Sequence, residues 1–490
     1  MVLREFGMVR LRISSNIRAA SAAEFATFGS LGFTLLLVLW IGLNDRGEGF
    51  NGQSQRTQDL LSDTMIENCL IRTRANDTVL PRQAGPFNCF RLENGNDRIV
   101  IDSGDNIIYP GDGNDTVTVL AGTRDTQIVY QSGNDTYHAA GGRTLVDLRS
   151  FERGAVRLQI DRGTPATAFP GDVFDPMDTG SRDLHIRTRK GTMTIAGHFA
   201  NTPVDTILFG DAQLSGDEIV FAALQDQSTD RNDRILGTEM SDVVSPKGGN
   251  DSVSTFGGDD IISYTSGYDT YDPGPGADIL DMGEITSNSV QFSIEVNHKD
   301  IRIDTGDRGS IILKDQATHP ISGTTQQFTS VHFADDILRS DRVMTRAIED
   351  QSKTGVEDFR GTSFSDVIRP GSGTKRIYPG TGSDHIFIQG GRITIYPSEN
   401  EIGDRDVLDL SNFSRADLAF VTGANGDLVI KMNDQETVTI AGQLSRSPGD
   451  GTNIEIFQMK NEILPDDVMR QLFFNWKNGE SLATKVPGLP

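Results

Sequence analysis

Six aspartates of this chain recur every nine residues without interruption, and carboxylates at so regular a spacing could bind metal ions. They are Asp233, Asp242, Asp251, Asp260, Asp269 and Asp278. An apolar or aromatic residue follows each aspartate after two positions, beginning with Ile235, and a glycine precedes four of them by two positions, beginning with Gly249. A period of nine fits neither an α-helix nor a hairpin, so each nonamer is predicted to form one turn and one strand of a stacked array.

Stacked carboxylates repel one another, and Ca²⁺ is the counterion that the geometry favours. If consecutive turns lie on alternate sides of a flattened coil, aspartates eighteen residues apart stack directly, about 4.8 Å from each other. Two charges at that distance repel by roughly 1 kcal/mol in water. Ca²⁺ takes oxygen ligands at about 2.3–2.6 Å, so an ion could bind a carboxylate of one turn and backbone carbonyls of the next. The alternative is an ordinary acidic, loop-rich β protein.

The nonamers resemble the RTX, or haemolysin-type, calcium-binding repeat G-G-x-G-x-D-x-U-x. The best matches are Gly111-Asp112-Gly113-Asn114-Asp115-Thr116-Val117 and Gly257-Gly258-Asp259-Asp260-Ile261-Ile262. In that family the aspartate ligates calcium and the hydrophobic U residue points into a parallel β-roll. Most nonamers of this chain lack the first glycine of the motif.

Two less regular arrays flank the first one. The later array has Lys375 at the ligand position and Ile393 at the next but one. A charged lysine cannot ligate Ca²⁺, so this array is expected to keep the fold and to have lost most of its ions. With Ca²⁺ as the implied cofactor, the candidate ligands in the three arrays are Asp97, Asp115, Asp135, Asp233, Asp242, Asp251, Asp260, Asp269, Asp278, Asp366 and Asp384.

Each array is followed by apolar residues that alternate with polar ones, which predicts half-buried hairpins. Three phenylalanines close these segments at intervals of 124 residues, namely Phe209, Phe333 and Phe457. The predicted fold class is therefore all-β, with three tandem modules of parallel β-roll plus hairpins or sandwich and one preceding transmembrane helix. The predicted segments are a cytoplasmic N-terminus (1–24), an anchor (25–43), a juxtamembrane segment (44–90), modules at 91–226, 230–345 and 356–470, and a tail (471–490). Residues 225–231 and 347–355 are expected to be linkers.

The composition argues against one class of partner. The formal net charge is −24, with a pI near 4.6, whereas nucleic-acid phosphates require a basic surface. Acidity suits a surface rich in divalent cations, although acidity that only confers solubility is compatible with the same composition.

The N-terminal region differs from the rest of the chain. Residues 25–43 are uncharged and mostly apolar, long enough for one membrane crossing, and the preceding arginines place the N-terminus in the cytoplasm and the modules in the periplasm or outside the cell. A cleaved signal peptide is the alternative. Residues 18–66 also resemble, more weakly, the N-termini of TadE-like pseudopilins, which carry Glu-Phe directly before the membrane span, as Glu24-Phe25 does here.

Cys69 and Cys89 are the only cysteines. Outside the cytoplasm they are expected to form one disulfide, the alternative being two free thiols.

No catalytic residue is predicted, because the seven histidines have no metal or catalytic spacing. The expected function is binding, adhesion or surface structure in the bacterial envelope, with cell-surface polysaccharide or envelope proteins as partners. The alternative is a calcium-dependent polysaccharide lyase or epimerase on a parallel β-coil.

Overall fold

The computed structural model describes residues 69–71, 76–79, 87–139, 142–161, 182–199, 204–318, 327–397, 404–446 and 453–477. These residues form a mostly β fold of three consecutive pairs of sheets. We call the pairs, in chain order, roll 1, roll 2 and roll 3. The predicted anchor at 25–43 lies outside the described residues, and no helix within them is long and apolar enough to cross a membrane.

Roll 1 contains two seven-stranded sheets, ordered β1-β3-β5-β7-β9-β13-β14 and β10-β11-β12-β8-β6-β4-β2. A helix, α1 (Asp217–Gln227), follows its last strand. The strands are β1 (Leu70–Ile71), β2 (Thr78–Val79), β3 (Phe87–Arg91), β4 (Arg98–Ile101), β5 (Gly104–Tyr109), β6 (Thr116–Val119), β7 (Thr123–Val129), β8 (Gly133–Ala139), β9 (Arg143–Leu148), β10 (Arg157–Asp161), β11 (Asp183–Thr188), β12 (Gly191–Ala196), β13 (Thr206–Phe209) and β14 (Gln213–Ser215).

Roll 2 contains a six-stranded sheet, β15-β17-β19-β23-β22-β21, and a five-stranded sheet, β16-β18-β20-β24-β25. Helix α2 (Ser340–Thr354) follows. The strands are β15 (Arg234–Leu236), β16 (Val243–Val244), β17 (Ser252–Ser254), β18 (Ile261–Ser263), β19 (Gly267–Asp272), β20 (Asp278–Met282), β21 (Gln291–Ile294), β22 (Ile301–Asp304), β23 (Gly309–Leu313), β24 (Phe328–Phe333) and β25 (Ile337–Arg339).

Roll 3 repeats this order as β26-β28-β30-β34-β33-β32 and β27-β29-β31-β35-β36. Helix α3 (Asp466–Lys477) follows. The strands are β26 (Asp358–Arg360), β27 (Val367–Ile368), β28 (Thr374–Tyr378), β29 (His385–Phe387), β30 (Arg392–Ile395), β31 (Val407–Leu410), β32 (Ala419–Thr422), β33 (Leu428–Lys431), β34 (Thr437–Ile440), β35 (Ile456–Met459) and β36 (Ile463–Pro465).

Consecutive nonamers alternate between the two sheets of a roll, as the period predicts. In roll 2, β15 pairs in parallel with β17 and β16 pairs in parallel with β18, so residues eighteen apart lie side by side. The apolar residue of each nonamer points between the sheets, where Ile235, Val253 and Tyr271 stack in one column and are buried. Burial of such side chains stabilises the fold by about 1.5–3 kcal/mol each.

Antiparallel hairpins extend the parallel sheets at the predicted places. In roll 2, β22 pairs antiparallel with β23, while β23 pairs in parallel with β19. The hairpin therefore continues the sheet begun by the nonamers, and its inward residues Ile301, Ile303 and Ile311 join the same core. Rolls 1 and 3 contain the equivalent hairpins β11–β12 and β33–β34.

The helices correct two expectations drawn from the sequence. The fold is mostly β rather than all-β, and parts of the segments expected to be linkers, residues 225–227 and 347–354, lie in α1 and α2. In α2, Val343 and Ala347 are buried because residues four apart share one face of a helix, and Ile348 is buried beside them. Gly355, with φ 69°, ends that helix in the left-handed conformation that glycine adopts readily. The boundaries of the three predicted modules stay a prediction, and the first sheets begin at Leu70, within the segment expected to be juxtamembrane.

Candidate calcium ladders

The predicted aspartates stack along the edges of the rolls, either directly before a strand or within its first three residues. Within a column, each carboxylate after the first accepts a hydrogen bond from the backbone N–H of the aspartate one layer earlier. The Asp233 N–H donates to Asp251 Oδ1 at 2.8 Å, and the Asp251 N–H donates to Asp269 Oδ1 at 2.9 Å. We call such a column an aspartate ladder.

Four aspartate ladders are present in the described residues. Their hydrogen bonds follow the same pattern, with N···O distances of 2.7 to 3.0 Å. The ladders are ladder 1 (Asp97, Asp115 and Asp135, preceded by Asp77, whose N–H donates to Asp97 Oδ1 at 2.6 Å), ladder 2a (Asp233, Asp251 and Asp269), ladder 2b (Asp242, Asp260 and Asp278) and ladder 3 (Asp366, Asp384 and Asp406). The structure thus brings the predicted ligands together within each roll, on both edges of roll 2 and on one edge of rolls 1 and 3.

The second carboxylate oxygen of many ladder aspartates is buried without a hydrogen-bond partner. The clearest cases are Oδ2 of Asp97, Asp115, Asp135, Asp251, Asp278 and Asp384. A buried anionic oxygen is strongly unfavourable unless a positive charge or a hydrogen-bond donor faces it. The ladders therefore present unsatisfied acceptors where a cation would be stabilised.

Burial raises the pKa of several ladder carboxyl groups well above the ordinary value for aspartate. Desolvation, with a smaller contribution from the neighbouring Asp115 carboxylate, raises the pKa of Asp135 to about 7. The pKa of Asp278 is also raised to about 7, first by desolvation. Asp384 has the largest shift, to about 10, because it is buried and flanked by Asp406 and Asp366. The ladders carry mutual repulsion that a bound cation would remove.

Backbone carbonyl oxygens converge on the same edges because glycine precedes the aspartates. Gly267 has φ 124°, and a Cβ added to it would overlap the carbonyl oxygen of Gly249 and lie 3.0 Å from Asp269 Oδ1. In ladder 2b, a Cβ on Gly276 would overlap the Gly258 carbonyl oxygen and lie 2.8 Å from Asp278 Oδ1. No side chain can occupy these positions, so carboxylate and carbonyl oxygens approach one another there.

This set of donors matches the ligand preference of Ca²⁺, which binds six to eight carboxylate and carbonyl oxygens. Among the described residues, no three His, Cys, Asp or Glu side chains group together as a metal site. A side-chain cluster of that kind typifies zinc and other transition metals, whereas a roll supplies about one carboxylate per turn. Ladder aspartates and glycine carbonyls are the groups that would hold calcium here.

The first aspartate of ladders 2a, 2b and 3 differs from those that follow. Asp242 Oδ2 accepts hydrogen bonds from the Thr238 N–H at 2.6 Å and the Thr238 hydroxyl at 3.1 Å. Thr362 holds Asp366 in the same way. A threonine four residues earlier therefore satisfies the oxygen that stays unpartnered further along the ladder.

Two roll edges lack an aspartate ladder. In roll 1 the edge opposite ladder 1 carries amides, and Asn88 Nδ2 donates to Asn106 Oδ1 at 2.9 Å. In roll 3 the edge opposite ladder 3 carries Lys375, which is 6% exposed and donates from Nζ to the Val356 carbonyl oxygen at 2.6 Å. We call these the amide edge and the lysine edge; their donors satisfy acceptors without a metal ion.

Asp406 belongs to ladder 3, but sequence reasoning missed it. The step from Asp384 to Asp406 is 22 residues instead of 18, so the period does not reach it. A signal was nevertheless available, because Asp406 directly precedes the Val407-Leu408-Asp409-Leu410 motif, as Asp278 precedes Ile279-Leu280-Asp281-Met282. Ladder 3 is therefore more complete than the sequence prediction for this array.

The predicted disulfide between Cys69 and Cys89 is confirmed. The two residues are bonded, with Cα atoms 4.6 Å apart. Because Cys89 lies in β3, which pairs with β5 and with β1, the bridge ties the start of roll 1 to its sheet.

No protein-family model matches the chain, and no curated protein matches it. Among solved structures, the chain is similar to the extracellular lipase LipA from Serratia marcescens, at 13% sequence identity and a TM-score of 0.14. The match covers 72% of this chain and 44% of the lipase, so the chain spans less than half of that protein's length. The sheets and ladders themselves define the class, a mostly β protein built from parallel β-rolls.

Proposed function

We propose that the protein binds calcium along its aspartate ladders and acts in binding, adhesion or surface structure rather than in catalysis. The observation that carries this proposal is the row of buried carboxylate oxygens without hydrogen-bond partners, next to carbonyl oxygens of glycine turns. A β protein that is merely acidic would keep its carboxylates in solvent.

Calcium would act as a structural ion. Between two turns it would neutralise carboxylates such as Asp260 and Asp278, which otherwise repel across the ladder. Because the unfolded chain offers no such arrangement of oxygens, the free energy of calcium binding would add to the free energy of folding. Rolls 1 and 2 would then fold fully only where calcium is abundant.

An exterior location fits both this calcium requirement and the disulfide. Disulfides persist in oxidising compartments such as the periplasm and the cell exterior, and Cys69–Cys89 is bonded. Together with the predicted anchor at 25–43, this supports a protein fixed to the membrane with its rolls in the periplasm or outside the cell. Cell-surface polysaccharide or envelope proteins are the partners we propose.

Circular dichroism of chelated protein tests the calcium proposal. Added Ca²⁺ should increase the β-type signal with a saturable midpoint at or below millimolar concentration, while equal Mg²⁺ should have little effect because it dehydrates reluctantly. Asp260→Asn should raise the calcium midpoint, whereas Asp307→Asn, at an exposed hairpin turn, should leave it unchanged. An unchanged spectrum up to millimolar Ca²⁺ would refute the proposal.

A further inference from the structure

Two glutamines make equivalent contacts at the junctions between rolls. In joint 1, between rolls 1 and 2, Gln227 of α1 donates from Nε2 to the Leu236 carbonyl at 3.0 Å and accepts from the Leu236 N–H at 3.2 Å. In joint 2, between rolls 2 and 3, Gln351 of α2 makes the same pair of bonds with Arg360, at 2.8 and 2.9 Å.

These bonds replace the neighbour that a first strand lacks. Leu236 ends β15 and Arg360 ends β26, which are the edge strands of their sheets. An edge strand exposes unpaired N–H and C=O groups, and the side-chain amide of glutamine offers one donor and one acceptor to match them. The helix of one roll thus caps the first strand of the next.

A second contact at each joint holds the residue that follows. Arg182 of roll 1 donates from Nη1 to the Gly237 carbonyl at 2.9 Å. At joint 2, His298 Nδ1 lies 2.9 Å from the Gly361 carbonyl oxygen. Both glycines directly precede the threonine that holds the first aspartate of a ladder, as Thr238 holds Asp242. Each joint therefore fixes the turn on which ladder 2b or ladder 3 begins.

The three helices differ at the position of the capping glutamine. Gln227 and Gln351 each lie ten residues after the aspartate of the Asp-x-aliphatic signature, Asp217 or Asp341. Trp476 occupies this place after Asp466, in α3, which no described roll follows. An indole has one N–H donor and no acceptor, so it cannot make the paired bonds of glutamine. The glutamine amide is present in both helices that a described roll follows.

We infer that Gln227 and Gln351 are positioning residues that template the first layer of the following roll, so that folding and ion loading pass from each roll to the next. The first layer of rolls 2 and 3 then forms before any ion binds, and the later layers of the roll add to it in order. The ion-loading part of this inference rests on the proposed function, whereas the templating of the first layer does not.

Amide hydrogen exchange on the full chain tests the inference with a matched pair of variants. Gln227→Leu removes the cap, and Gln225→Leu makes the same change two residues earlier on α1, where the side chain makes no hydrogen bond to roll 2 among the described residues. Loss of two hydrogen bonds should speed exchange at Leu236 and Ser252 about tenfold or more. Strands β11 and β12 of roll 1 should exchange as in the wild-type protein. Gln351→Leu should transfer the same effect to roll 3.

The outcomes separate this inference from the calcium proposal. In calcium, Gln227→Leu should also raise the midpoint for loading roll 2 relative to Gln225→Leu. If the wild-type protein does not respond to calcium but the exchange pattern holds, the proposed function fails and the templating stands. If Gln227→Leu exchanges like Gln225→Leu in roll 2, or accelerates exchange in roll 1 to the same degree, the inference is overturned.

Discussion

Rolls 2 and 3 have the same order of strands in both sheets, yet their edges differ. Roll 2 carries aspartate ladders on both edges, whereas roll 3 has ladder 3 on one edge and Lys375 and Ile393 on the other. The inward columns are nonetheless alike, with Ile235 and Val253 in roll 2 matched by Phe359 and Ile377 in roll 3. The buried apolar column therefore determines that the chain coils into a roll. The edge residues determine whether carboxylates need a cation or are replaced by a lysine.

Removing calcium should give the largest difference between the two rolls. Chelation leaves both edges of roll 2 with unpaired carboxylates, whereas the lysine edge of roll 3 keeps its ammonium contact with Val356. We expect amide protection to be lost more completely in β15–β20 than in β26 and β28. Hydrogen exchange measured with and without chelator checks this. An equal loss of amide protection in β26 and β28 would contradict the expected difference between the rolls.

Core substitutions should affect the two rolls equally. Ile262 and Ile377 are both fully buried, so replacement of either by alanine should lower the free energy of unfolding by about 2–5 kcal/mol. In the presence of Ca²⁺, the two variants should lose a similar free energy of unfolding. Denaturant unfolding, followed in the strands of the roll that carries the substitution, measures this loss. A much smaller loss of unfolding free energy in roll 3 would mean that its inward apolar column contributes little to its stability.

The pH dependence should change sign with calcium. Without calcium, Asp135 and Asp278 have a pKa of about 7 in the folded chain, against about 3.9 when unfolded. Folding then takes up protons, so stability should be greatest at acidic pH and be lost as pH rises through about 7. With calcium bound, acid should destabilise the rolls because protons compete with the ion. Thermal unfolding at pH 5 and 7.5 in both conditions checks this; the same sign in both would contradict it.

Replacing Lys375 should give the smallest effect. Lys375→Met removes the hydrogen bond from the ammonium group to the Val356 carbonyl while keeping a similar length of side chain, at a cost of about 1.5–3 kcal/mol. Because Lys375 does not ligate calcium, the calcium midpoint of ladder 3 should not move. Denaturant and calcium titrations of this variant check both expectations, and a shifted midpoint would show that the two edges of roll 3 are coupled.

The sequence predicts the parts of the fold that repeat strictly. The nonamer period places Asp242 beside Asp260 and Val244 beside Ile262, as the structure has them, because both follow from the alternation of turns. It does not reach Asp406, where four extra residues interrupt the period.

The helices and joints were beyond the sequence argument for a different reason. The sequence of a short, charged amphipathic helix such as α2 lacks the strand period, so a search for that period alone assigns it to a linker. The capping role of Gln351 depends on a contact nine residues along the chain with Arg360, which no local pattern reveals. The unpartnered carboxylate oxygens could likewise not be predicted, because their burial depends on how neighbouring layers of the roll stack.

Direct calcium binding tests the central claim most directly. Isothermal titration of chelated protein with Ca²⁺ should show saturable binding, and joint replacement of Asp242, Asp260 and Asp278 by asparagine should reduce the number of ions bound while Asp307→Asn does not. If wild-type protein shows no saturable binding up to millimolar Ca²⁺, or the ladder variant binds as many ions as the wild-type protein, the account of the aspartate ladders as calcium sites is wrong.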